Sequence, residues 1–170
     1  MKSQLLQMLE AVQARLEAIP TLFAAEWGSA PIEVITVKPP NTEPGADRIT
    51  NYEQALETKT LAAGGTVVIL VQAAEDATVP ENGNETPEGL FRQTILVDVN
   101  TRPLLQNEMI EPALAGECVA RALQHFRWQQ STTTQRRVQV RALKQGYSTD
   151  KKFFITKIRA EYDLRLAPVP

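Results

Sequence analysis

Cys118 and His125 are the single cysteine and the single histidine of this 170-residue chain, so any thiol–imidazole chemistry would have to run between them. A nucleophile and its base need hydrogen-bond contact. The two residues stand seven positions apart on an expected helix, which separates their Cα atoms by roughly 10.5 Å. That is too far for a direct pair. Cys118 also falls on the apolar stripe of the helix, where a free cysteine behaves as a small hydrophobe. His125, beside Phe126 and Trp128, reads as a helix-end residue. With one cysteine, an intramolecular disulfide framework and a cysteine-based zinc site are both excluded.

The carboxylates do not gather at ligand spacing. Asp98-Val99-Asn100 opens in the manner of a calcium loop, but the remaining ligands are missing, and a strand end capped by turn-forming side chains is the expectation. Glu75-Asp76 reads as a solvated part of an acidic stretch, and no two acids are spaced as a general acid and base. Gly64-Gly65 precedes a strand instead of opening a helix, the reverse of what a phosphate cradle needs. The expectation is therefore no catalytic residue, no metal, no cofactor and no enzymatic activity.

Charge is the informative pattern. The chain carries 18 basic and 20 acidic residues, a net of −2, but residues 1–90 hold 5 basic against 13 acidic and residues 91–170 hold 13 against 7. Bulk attraction to nucleic acid or to an anionic membrane is not indicated. The two halves either face each other within one fold or form a two-signed surface that pairs head to tail with copies of itself. The acidic stretch contains Glu75, Asp76, Glu81, Glu85 and Glu88 and no base. The late stretch from Arg127 to Arg165 holds ten basic and three acidic residues, among them Arg136, Arg137, Arg141, Lys144, Lys151, Lys152, Lys157 and Arg159. Phe153 and Tyr147 are the stackers that a nucleic-acid surface would use there. A solvated or subunit-contacting face is the preferred reading, with a nucleic-acid-binding or regulatory module built on the basic C-terminal hairpin as the alternative.

The elements that position these charges follow from apolar periodicity. Leu5, Leu9, Val12, Leu16 and Ile19 share one face of a helix over 3–19, with Ser3 as N-cap and Pro20 as its stop. Strands are expected at 32–37, 66–72 and 91–99, the last with Phe91, Gln93, Ile95, Val97 and Val99 on one face. A short helix over 52–61 precedes Gly64-Gly65. A second main helix over 111–128 starts on Pro112 and repeats Leu114, Cys118, Ala122 and Phe126, with Glu117 and Arg121 as an i,i+4 pair. Two strands, near 135–144 and 152–166, close the chain. In the last, Phe154, Ile158, Ala160, Tyr162, Leu164 and Leu166 alternate with Lys157, Arg159, Glu161, Asp163 and Arg165. Fully extended, 153–166 spans roughly 46 Å, more than the ~40 Å diameter of a compact chain of this size. It should cross the whole sheet, bend at a bulge or project into a neighbour.

This order predicts one α+β domain over 1–170, an antiparallel sheet with two main helices packed on it, with extended loops near 39–65 and 74–89. The longest apolar run, 67–71, is far short of the ~20 residues that span a bilayer. No secretory leader is visible, so the chain is expected to be made in the cytoplasm, and the sequon Asn84-Glu85-Thr86 carries no meaning there.

The element order, the long acidic connection and the closing strand pair resemble the tail terminator proteins of long-tailed bacteriophages. The segments that carry the resemblance are 3–19, 66–72, 91–99, 112–128, 136–143 and 154–166, most of the chain. It rests on pattern, and residues 39–65 are longer than a minimal member needs. The resemblance implies a tail completion protein of the virion tail or neck, assembled in the host cytoplasm. It further implies a hexameric ring that caps the tail tube and takes part in head-tail joining. Its partners would be further copies of itself, the tail tube protein and the head–tail connector or neck proteins, with no membrane and no sequence-specific nucleic acid. A closed ring needs two different patches of each subunit to pair. The acidic stretch of one copy against the late basic strands of the next, Lys151 and Lys152 included, supplies such a pair.

Overall fold

The computed structural model describes residues 3–37, 53–61, 65–78, 90–102, 110–131 and 134–165. Helix α1 (Gln4–Glu17) starts where the Ser3 hydroxyl accepts the Leu6 amide at 3.2 Å, and it buries Met8, Leu9, Val12 and Leu16. Pro20 does not itself end this helix. Ala18 closes it, and Pro20 sits in the first turn of a four-residue helix α2 (Ile19–Leu22), where its missing N–H costs nothing. Helix α3 (Ala24–Trp27) follows and stops at Gly28, whose φ of 64° is open to glycine at little cost. The fully buried Trp27 indole donates to the Ala30 carbonyl at 2.9 Å.

Five strands form the main sheet in the order β1, β2, β3, β7, β6. They are β1 (Ile32–Thr36), β2 (Val67–Thr78), β3 (Leu90–Thr101), β6 (Gln139–Tyr147) and β7 (Phe154–Arg165). The fold is α+β, as the element order implies. One pairing differs from the expected wholly antiparallel sheet: β1 lies parallel to β2, with Ile32 opposite Val67. The connection of 30 residues between them is ample for the crossover that a parallel pair requires. Strand β7 crosses the whole sheet, paired with β3 from Leu90↔Arg165 to Thr101↔Phe154.

Strand β2 continues to Thr78, past the point where a loop was expected from 74. Gln93 and Arg92 of β3 pair with its far end (Ala77↔Gln93, Thr78↔Arg92), after an irregularity between Ala73 and Ala77. The second main helix, α4 (Pro112–Leu123), begins under a Glu111 cap that accepts the amides of Ala113 and Leu114. It ends five residues before the expected 128. Gln124 is extended, and His125 takes a left-handed φ of 58°, which breaks the helix. The chain then forms a separate hairpin of β4 (Arg127–Ser131) and β5 (Thr134–Arg137). The segment Leu56–Thr60 is helical, of the wider π type, within the region expected to be a short helix.

The core lies between the helices and one face of the sheet. Val67, Ile69 and Val71 of β2, Ile95, Val97 and Val99 of β3, and Ile158, Ala160 and Tyr162 of β7 pack in one cluster with the buried residues of α1 and α4. Each large side chain so buried contributes about 1.5–3 kcal/mol. Helix α4 comes so close to β7 that a Cβ added at Gly116 would collide with the Thr156 side chain. Gln145 of β6 completes this junction, donating to the Thr156 hydroxyl and to the Ala113 carbonyl. Arg15 joins the helices, donating to the Ala122 carbonyl at 3.1 Å with its guanidinium over the Phe126 ring.

Candidate interaction surface

Alternation within the strands places the remaining side chains on the outer face of the sheet. Strand pairing arranges them in rows. Leu70, Asp98, Lys157 and Lys144 form one row across β2, β3, β7 and β6, and Gln72, Leu96, Arg159 and Ala142 form the next. The following row contains Thr94 and Glu161, and the one after it Arg92 and Asp163. Among the described residues, the helical segment Leu56–Thr60 joins this face at the β1–β2 side. Its Lys59 pairs there with Glu33, the residue in register with Val68.

Two electrostatic zones divide the face. Around Glu161 the charges are compensated: its half-buried carboxylate accepts Arg141 Nε at 2.8 Å and has Arg92 at 3.7 Å and Arg159 at 4.0 Å, while Arg92 also meets Asp163. The expected scarcity of acid around Arg141 and Arg159 is thereby corrected, because register brings Glu161 beside both. In the Lys144–Lys157 row two like charges stand directly opposite each other, an arrangement that destabilises a sheet on its own. Neither lysine forms an ion pair within 4 Å among the described residues. Asp98 stands opposite Lys157, and burial pushes its carboxyl above the usual range despite the lysine's attraction. A hollow of about 300 Å³ lies here between Gln72, Leu96, Asp98, Lys144, Lys157 and Arg159. A second, of about 360 Å³, shares the two lysines and runs on to Tyr147, Ser148 and Thr149.

The other basic candidates lie apart from this row. Lys151 and Lys152 are exposed in the β6–β7 turn. Asp150 organises that turn, accepting the Ser148 hydroxyl at 2.6 Å and the Lys152 amide at 3.1 Å. Those two hydrogen bonds hold the Asp150 carboxyl below its usual value, and Lys151 adopts a left-handed φ of 57°. Arg136 and Arg137 belong to the β4–β5 hairpin, outside the main sheet. Of the acidic candidates, Glu75 and Asp76 lie in β2, whereas Glu81, Glu85 and Glu88 fall outside the described residues.

Cys118 is fully buried on α4, and burial raises its thiol pKa; His125 is exposed beyond the helix end, beside Gln124. They form no pair. Asp98-Val99-Asn100 lies inside β3, not at a strand end, because β3 runs on to Thr101. The Asn100 amide is spent on the carbonyls of Val68 and Asp98. Among the described residues no group of three His, Cys, Asp or Glu is placed to hold a metal, and no helix is long and apolar enough to cross a membrane. Arg121 meets Glu26 of α3 at 3.5 Å and covers the Phe23 ring, instead of pairing with Glu117.

Lys144 is the surface residue that sequence reasoning passed over as a site. Its alternation placed it on a basic strand, but only the register of β6 against β7 puts it opposite Lys157. Comparison with known proteins finds no family model and no curated protein that matches the chain.

Proposed function

We propose that this chain is a structural protein of a phage tail, of the tail terminator type, acting as a ring of copies, six in the reading by resemblance. Such a ring caps the tail tube and joins the tail to the neck. The supporting observation is the outer sheet face. It is built on long strands and carries a row in which Lys144 and Lys157 stand opposed, neither in an ion pair within 4 Å among the described residues, on a chain whose first half is strongly acidic. A rigid sheet face with charges in fixed rows suits a heterologous contact, because complementary potentials set orientation while packing at the centre supplies affinity. Of the proposed interface residues, Glu75, Asp76, Glu81, Glu85 and Glu88 form the acidic side. Arg136, Arg137, Arg141, Lys151, Lys152, Lys157 and Arg159 form the basic side. The neighbours along the particle are a tail tube protein and neck proteins, and the role is architectural, not enzymatic.

Negative-stain images of the purified protein, with its mass in solution, test this reading. Rings of uniform size support it. A monomer that is retained on duplex DNA at moderate salt contradicts it and favours the nucleic-acid-binding alternative.

A further inference from the structure

The geometry points to the hollow between Lys144, Gly146 and Lys157 as a binding site for a small phosphate monoester that carries an aromatic ring. The site needs one chain only and does not rest on the ring reading. Lys144 is opposite Lys157 and Gly146 is opposite Ile155, so these four positions form neighbouring rows of the outer sheet face. At Gly146 the face has no side chain, and a Cβ built there would meet nothing within 4 Å. The glycine is not in the left-handed region, so no turn requires it. Glycine inside a strand often marks a place where a ligand comes close. Here it opens a hollow of about 360 Å³, within the range of small-molecule sites.

The lining selects an anion. Both lysines face the hollow, and none of its lining residues is a carboxylate. Asp98 stands on β3, on the far side of Lys157, and lines the neighbouring hollow instead. The Asp150 carboxylate is engaged by the Ser148 hydroxyl and the Lys152 amide. From the lysine row the hollow runs toward the β6–β7 turn, away from the end of the sheet where Thr78 and Leu90 lie. There it gains a hydroxyl donor in Thr149 and the ring of Tyr147, which is 66% exposed and meets Phe154 edge to face at 5.4 Å. A phosphate monoester carries about −1.5 to −2 charges at pH 7 and three strong acceptor oxygens. Two opposed ammonium groups match that dianion better than a carboxylate or a phosphodiester, each with a single charge. Tyr147 at the rim gives the ester's ring an aromatic neighbour.

Isothermal titration calorimetry of the full-length chain at about 50 mM NaCl tests this, with phenyl phosphate as the probe. Inorganic phosphate, benzoate and a thymidine oligonucleotide without a terminal phosphate serve as comparisons. Phenyl phosphate should saturate one site per chain and bind more tightly than all three. Lys144→Gln with Lys157→Gln should weaken it about tenfold, and so should Gly146→Leu, which keeps both lysines and fills the hollow. Lys59→Gln with Arg127→Gln removes as many positive charges elsewhere and should change binding less than twofold. Circular dichroism confirms that each variant keeps the fold. Should Gly146→Leu not fold, the lysine pair and the choice among the four probes still decide. Absence of saturable binding by phenyl phosphate up to about 10 mM overturns the inference. So does a folded Gly146→Leu variant that binds like the parent, or equally tight binding of any comparison probe.

Discussion

Lys144 and Lys157 oppose each other as directly paired residues of β6 and β7, on the sheet face away from the two main helices. Isolated, this arrangement is unfavourable, and under the proposed ring it would set stability and assembly against each other. Lys144→Glu should stabilise the single chain by about 0.2–1 kcal/mol, through a new cross-strand ion pair with Lys157. The same substitution should weaken association. Thermal unfolding of dilute protein beside sedimentation of concentrated protein separates the two effects. A variant that is both less stable and equally associated refutes the role given to this row.

Asp98 supplies a pH signature. Burial raises its pKa in the folded chain, so between its unfolded value near 3.9 and the raised folded value the native state holds more protons than the unfolded state. Its contribution to stability therefore falls as pH rises through that window. Asp98→Asn should raise the melting temperature at pH ~7, and the gain should vanish below pH ~4. A melting difference that is independent of pH contradicts this account.

Gly116 tests the seating of α4 on β7. An alanine improves helix propensity by about 1 kcal/mol, but its Cβ meets the Thr156 side chain, and overpacking of this kind costs about 1–3 kcal/mol. The collision should win, leaving Gly116→Ala less stable in denaturant melts and Gly116→Val less stable again. Stabilisation by the alanine would show that α4 sits farther from the sheet.

Cys118 should prove chemically inert. Its side chain is fully buried and its thiol pKa is raised, both of which suppress the reactive thiolate. Cys118→Ala should cost at most about 1–2 kcal/mol and leave assembly intact. Alkylation by a maleimide should proceed only as fast as the chain unfolds. Loss of assembly in a folded Cys118→Ala variant would assign the thiol a role that the structure does not.

Legibility in the sequence followed the period of each element. The alternation of Ile158, Ala160 and Tyr162 with Lys157, Arg159 and Glu161 gave β7 its two faces directly, and the alternating steps of four and three residues in α1 marked its buried stripe. Direction and neighbour are not encoded in a period of two, so the parallel pairing of β1 with β2 was not readable. The apolar repeat of α4 carries on to Phe126, and only the left-handed turn at His125, a backbone event with no glycine to announce it, separates the helix from β4. The candidate surface was legible as composition but not as geometry. Lys157 and Arg159 stood out as basic, while the compensation of Arg159 and Arg141 by Glu161 depends on register. So does the opposition of Lys144 to Lys157, which a shift between Val140 and Ala142 sets.

The central claim is that copies of this chain close into a ring, and sedimentation velocity of the unmodified protein, with negative-stain images of the same sample, tests it most directly. At about 50 mM salt the account predicts one species several times the mass of a single chain, seen as a closed ring, and partial dissociation at about 500 mM as screening removes the charge pairing. A single-chain mass at both salt concentrations, over the full range of protein concentration, would contradict it.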